Sequence, residues 1–97
     1  MQLAYFANLR DLTGLSKQTW NLNGGTIGKL IGELCTTYGK EFRRWVLKDD
    51  GSLGELCIIL VNGHDIRELN GLATHLNPED EISFFPPVAG GRDWRAL

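Results

Sequence analysis

The apolar run Leu56-Cys57-Ile58-Ile59-Leu60-Val61 leads straight into Asn62-Gly63, and this junction constrains the fold more than any other stretch. Asn-Gly is the preferred pair for a type I′ turn, in which both central residues take positive φ and the chain doubles back as a tight hairpin. The run is far shorter than the ~20 residues of a membrane-spanning helix. It therefore reads as a buried strand, followed by a short returning strand. A sheet is required, and the remaining segments must supply its other strands and whatever covers it.

Gln2 to Ala7 is rich in apolar and aromatic residues and reads as a strand; the polar stretch Asn8 to Gly14, closing on Thr13-Gly14, reads as a turn. Leu15 to Leu22 alternates imperfectly, with Ser16, Gln18, Trp20 and Leu22 on one side, as the second arm of a hairpin ended by Asn23-Gly24-Gly25. Thr26 is a good N-cap, and Ile27, Leu30, Ile31, Leu34 and Cys35 form one apolar stripe, which predicts a helix from about Thr26 to Tyr38 with Gly39 as a left-handed C-cap. Lys40 to Lys48 places Phe42, Trp45 and Val46 at helical spacing, either as a short helix or as an irregular loop. Asp49-Asp50-Gly51-Ser52 is turn chemistry, and Leu69 to Asn77 is too punctuated by Asn70-Gly71 and Asn77-Pro78 for a long element. Glu81 to Phe85 resumes strand character, and Pro86-Pro87 stops it, because a proline ring donates no ladder hydrogen bond. With the first and last strands side by side, this order predicts an α+β fold: a mixed sheet of about five strands with one main helix across one face, the β-grasp layout of ubiquitin.

A chain of 97 residues, 42% of them apolar, makes one domain. We place it at residues 1–86, with 87–97 as a flexible tail. A domain of this size buries enough surface to fold without metal or disulfide, so Cys35 and Cys57 are expected to be reduced thiols. Ten basic against twelve acidic residues argue against a protein that neutralises nucleic-acid phosphates. No basic start leads into an apolar stretch, so neither a signal peptide nor a membrane association is expected, and a cytoplasmic location is.

The chain offers little self-contained chemistry. His64 and His75 fall in turn-like text with no Cys or carboxylate at metal-ligand spacing, so no metal site is expected. Cys35 and Cys57 sit on apolar faces and read as core thiols rather than nucleophiles. Asp49-Asp50 and Glu79-Asp80-Glu81 occupy turns, where Asp serves the backbone and Glu stays in water. Gly24-Gly25 before a capped helix lacks the spacing of a phosphate-binding loop. Lys40, Arg43, Arg44 and Lys48 around Trp45 read more readily as a solvated helical face than as a docking site for RNA or an acidic partner.

The exit from the last strand stands apart. From Phe85 to Gly91, six residues at ~3.3 Å each span roughly 20 Å when extended, enough to enter another protein's active site. Pro86 and Pro87 stiffen the base of such an arm, Val88 and Ala89 keep it thin, and Gly90-Gly91 lets the backbone pass a constriction that a Cβ would block. Such an arm is a substrate, not a catalyst. A frayed terminus with accidental glycines accounts for the same residues equally well.

Three segments bring in a known family. Tyr5-Phe6-Ala7-Asn8-Leu9-Arg10-Asp11-Leu12-Thr13-Gly14, then Leu60-Val61-Asn62-Gly63 with Asp65-Ile66, then Asp80-Glu81-Ile82-Ser83-Phe84-Phe85-Pro86-Pro87-Val88-Ala89-Gly90-Gly91 resemble, in the same order, the MoaD branch of the MoaD/ThiS ubiquitin-like sulfur carriers. The resemblance implies a non-enzymatic small subunit of molybdopterin synthase that binds no cofactor itself. A MoaB/ThiF-like activating enzyme using ATP would adenylate the carboxylate of Gly91. A sulfur donor protein would convert it to a thiocarboxylate, and the large synthase subunit would receive the sulfur for the molybdenum or tungsten cofactor. Pro86, Pro87, Val88, Ala89 and Gly90 would thread the partner's active site. The sequence departs from the pattern in that Arg92 to Leu97 follow Gly91. With Arg92 attached, Gly91 has a peptide carbonyl and nothing to adenylate. The resemblance therefore implies a precursor cut between Gly91 and Arg92, as JAMM-type zinc peptidases do for relatives with extended tails. A ubiquitin-like modifier joined through Gly91 to lysine, and a binding module whose blocked terminus never reacts, are the alternatives.

Overall fold

The computed structural model describes residues 1–22 and 24–86. Asn23, and the expectations placed on Pro87, Val88, Ala89, Gly90, Gly91 and Arg92, lie outside the described residues. Strands β1 (Gln2–Tyr5), β2 (Lys17–Thr19), β3 (Ile58–Val61), β4 (His64–Asp65) and β5 (Glu81–Phe85) form one sheet in the order β2-β1-β5-β3-β4. The central pair β1 and β5 is parallel and the other pairings are antiparallel. This is the mixed β-grasp sheet that the order of elements predicts.

Alternation along the strands decides which face is covered. Leu3 and Tyr5, Ile59 and Val61, and Ile82 and Phe84 are buried, because side chains two apart in a strand share a face. Against them lies α2 (Ile27–Tyr38), whose Ile27, Leu30, Ile31 and Leu34 are all buried. Its N-terminus is capped as the sequence predicts, the Thr26 hydroxyl accepting from the Lys29 N–H. The segment after Gly39 resolves into a second helix, α3 (Lys40–Val46), burying Phe42 and Val46. The Tyr5 ring stacks on Phe84 at 5.8 Å and meets Phe42 edge-on at 6.4 Å. The Tyr5 and Tyr38 hydroxyls both donate to Gln18 Oε1, at 2.7 and 2.9 Å, so the one polar group that β2 turns inward is satisfied. Asn62 and Gly63 take φ of 52° and 84°, as the predicted hairpin turn requires.

Four expectations need correction. Asn8 to Gly14 is not a turn but a helix, α1 (Asn8–Thr13), with Gly14 as its left-handed C-cap donating to the Arg10 carbonyl at 2.9 Å. Gly39 has positive φ but an extended ψ of −165°, so it is a break between two helices rather than a left-handed cap. The strand in the Leu56–Val61 run begins at Ile58, and only its alternate residues are buried; Leu56 is 65% exposed. His64 lies in β4, and His75 bridges Thr26, although both side chains are exposed.

Ala7, which leads into α1, has φ 52° and ψ −129°, a region that costs a residue with a Cβ about 1–3 kcal/mol. Replacing Ala7 by Gly removes that Cβ. We expect Ala7→Gly to stabilise the fold by about 1 kcal/mol despite the freer unfolded chain, read as a higher urea midpoint at constant slope.

Candidate functional site

The face of the sheet away from the helices carries the even-numbered residues of β1 and β3 and the odd-numbered residues of β5. Ala4 pairs with Ser83 and Ser83 with Leu60, while Ile58 pairs with Phe85. The Phe6 and Phe85 rings stack at 4.3 Å with an interplanar angle of 15°. Ala4, Phe6, Ile58, Leu60 and Phe85 are all half-buried, so this face is apolar at its centre. Phe6 continues the ladder past β1 by donating its N–H to the Phe84 carbonyl at 3.2 Å.

Register places one edge of this face at the end of β5. Phe85 ends β5 opposite Ile58, and Phe6 stacks on Phe85, so Phe6, Ile58 and Phe85 lie together next to Pro86. The first of the predicted arm residues, Pro86, is itself buried, which anchors the arm's base in the body. At the far end of the same face Gln2, Ala4, Lys17, Glu81 and Ser83 line an open cleft of about 280 Å³.

Several other polar groups that the sequence singles out hold local structure together. Asp80, buried on the approach to β5, accepts from Asn62 Nδ2 at 2.9 Å and from the Asn77 N–H at 2.8 Å. Asp50 accepts from the Ser52 hydroxyl and N–H, which hold its carboxyl below the usual range. In the basic cluster Arg44 faces Glu41 at 3.8 Å and Lys48 faces Glu55 at 3.1 Å. Arg67, which no sequence motif marks, donates its guanidinium to the Cys57 carbonyl at 2.7 Å. Among the described residues no three His, Cys, Asp or Glu side chains come together to hold a metal. No helix there is long and apolar enough to cross a membrane.

The cysteines fit a core role better than a sulfur-handling one. Both are free thiols. Burial pushes Cys57 up to about 12 and raises Cys35, so both stay protonated near neutral pH, whereas the thiolate is the nucleophile. The Cys57 shift also fixes a pH dependence. A thiol whose folded pKa is raised contributes stability that is complete below the unfolded value near 9 and is lost as the pH climbs through about 12. We expect stability to fall above pH 9 by up to ~1.4 kcal/mol per pH unit from this group, and Cys57→Ala to flatten that limb of a stability–pH curve.

With the fold and the exit in place, the sequence itself decides the relationship: it matches the ThiS family over residues 3–91. The chain belongs to the ThiS family. It is 33% identical over 92 residues to small archaeal modifier protein 3 of Haloferax volcanii, covering 94% of this chain and 98% of that protein. It is 37% identical over 86 residues to the sulfur carrier protein CysO of Mycobacterium tuberculosis, covering 86% and 89%. The solution structure of small archaeal modifier protein 1 from Methanosarcina acetivorans superimposes with a TM-score of 0.72 at 34% identity, over 93% of this chain and 94% of that one. ThiS-family relatives are thus named as carriers and modifiers rather than catalysts. The family match stops at Gly91, and Arg92 to Leu97 lie beyond it.

Proposed function

We propose that this ThiS-family chain is a sulfur carrier that works after residues 92–97 are removed, with the freed Gly91 carboxylate as its reactive group. One observation carries the reading: the family match ends at Gly91, the residue whose carboxylate would do the chemistry and which Arg92 blocks as a peptide. An α-carboxylate is ionised at pH 7 and is a poor electrophile. A carboxylate oxygen must first attack the α-phosphate of ATP, expelling pyrophosphate and leaving an acyl adenylate. A hydrosulfide equivalent released by the donor protein then attacks that carbonyl and expels AMP, giving the thiocarboxylate. The body contributes docking: once the outer sheet face is held by an adenylating enzyme, Gly91 reacts as if intramolecularly. The partners are therefore a ThiF-like adenylating enzyme, a sulfur donor, a JAMM-type peptidase acting between Gly91 and Arg92, and a sulfur acceptor. The FPPVAGG segment makes the pterin precursor of molybdopterin, held within the large synthase subunit, the acceptor of first choice. The likeness to a small archaeal modifier supports a second reading, in which the same acyl adenylate is taken by a lysine amine to form an isopeptide bond.

The test compares chains 1–97 and 1–91 with ATP and the adenylating enzyme. Every described element ends by Phe85, so trimming after Gly91 removes none of them. Pyrophosphate release is expected from the trimmed chain alone. Equal release from both, or from neither, contradicts the proposal.

A further inference from the structure

The chain carries three Asn-Gly pairs, at 23–24, 62–63 and 70–71, and Asn23 lies outside the described residues. An asparagine before glycine is chemically labile, because the glycine nitrogen can attack the side-chain carbonyl carbon with no neighbouring Cβ in the way. The two described pairs have similar surroundings in sequence, one following Val61 and the other Leu69. Folding makes them different.

At Asn62 both polar atoms of the side chain are engaged. Oδ1 accepts from the Glu81 N–H at 2.9 Å, and Nδ2 donates to Asp80 Oδ1 at 2.9 Å. The Asn62 N–H donates in turn to the Glu81 carbonyl at 2.8 Å. These contacts run from the hairpin to the start of β5, so freeing the amide means separating the two. The guard matters, because an acid at position 62 would face the buried carboxylate of Asp80.

At Asn70 the side chain is exposed and makes no hydrogen bond among the described residues. Only its backbone is engaged: the N–H donates to Thr74 Oγ1 at 3.1 Å, and the carbonyl accepts from the Ala73 N–H at 3.0 Å. The pair opens the single-turn helix Gly71–Ala73. The Asn70 ψ of 24° turns the Gly71 nitrogen away from Cγ, so reaction waits on the turn opening. A single surface turn opens far more readily than a sheet, and nothing stands within 4 Å of the place a Gly71 Cβ would take.

We propose that Asn70 is a modification site of the folded protein, converting without an enzyme to aspartate and isoaspartate, and that Asp80 and Glu81 hold Asn62 unreactive. The Gly71 nitrogen gives its proton to hydroxide and bonds to Asn70 Cγ. The Cγ–Nδ2 bond then breaks, and the nitrogen takes up a proton from water and leaves as ammonia. Water opens the resulting succinimide at the side-chain carbonyl to give aspartate, or at the main-chain carbonyl to give isoaspartate. The sum consumes water and releases ammonia, and nothing is oxidised or reduced.

The experiment incubates the full chain at mildly alkaline pH, with and without denaturing urea, and follows each Asn-Gly pair by peptide mass mapping. In the folded chain the acid is expected to form at Asn70 at least about tenfold faster than at Asn62, the equivalent of one further hydrogen bond broken on opening. In urea the two rates should converge, because only the fold distinguishes the pairs. Equal rates in the folded chain, a faster reaction at Asn62, no reaction at Asn70, or a ratio that urea leaves unchanged overturns the inference.

Discussion

A trimmed chain ending in valine, Gly91→Val, is expected to fold like the unmutated trimmed chain, to compete with it for the adenylating enzyme, and to lose adenylation by roughly 100-fold or more. Residue 91 lies beyond the last described strand, which ends at Phe85, so the substitution changes no residue of a described element. What changes is the immediate neighbourhood of the reacting carboxylate. A branched Cβ there shifts the oxygen that must attack the α-phosphate, and misplacement by about 1 Å is enough for a loss of this size. A falling kcat with constant KM is the predicted signature, because docking belongs to the sheet face and reaction to the terminus. A rise in KM alone would mean that residue 91 contributes to binding rather than to chemistry.

The second large effect falls on the body. Phe84 is fully buried in β5, stacked on Tyr5 at 5.8 Å and set edge-on to Phe42 at 6.1 Å. Phe84→Ala leaves a ring-sized cavity where the central parallel strands meet the helices, at a cost of about 3–5 kcal/mol. Small domains have only about 5–15 kcal/mol to lose, so the variant should be unfolded or close to it at 37 °C. The denaturant midpoint measures this directly. The neighbouring Phe85 faces the opposite way, so Phe85→Ala should cost much less stability while damaging partner binding. Two adjacent phenylalanines thus separate folding from docking by strand alternation alone.

The same alternation explains how much of the molecule was legible beforehand. The α2 stripe, the Asn62-Gly63 hairpin and the final strand are local signals, each carried by neighbouring residues, and all three stand in the structure. The outer apolar face was not read as a face, because it exists only once register sets Ile58 beside Phe85 and Phe6 beside β5. The α1 helix was missed because six residues are too few for a periodicity to show, and its start depends on a positive φ at Ala7 that the sequence gives no reason to expect. The spacing of Leu9 and Leu12 before Thr13-Gly14 was the available hint. Leu56 opens an apolar run and so reads as buried, whereas it is 65% exposed in a loop whose carbonyls at Glu55 and Cys57 accept from Arg67. A contact of that kind is set by tertiary structure and leaves no local pattern.

The terminus remains the part on which function turns. The body offers a mixed sheet with an outer face that is apolar at its centre, and burial raises both thiols above the usual cysteine range; the proposed carrier role rests on the terminal glycine instead. That narrows the decisive measurement to one: the intact mass of the protein isolated from its own host. The account predicts a species ending at Gly91, part of it heavier by the exchange of one oxygen for sulfur. A population consisting only of chains that still carry Arg92 to Leu97 contradicts it.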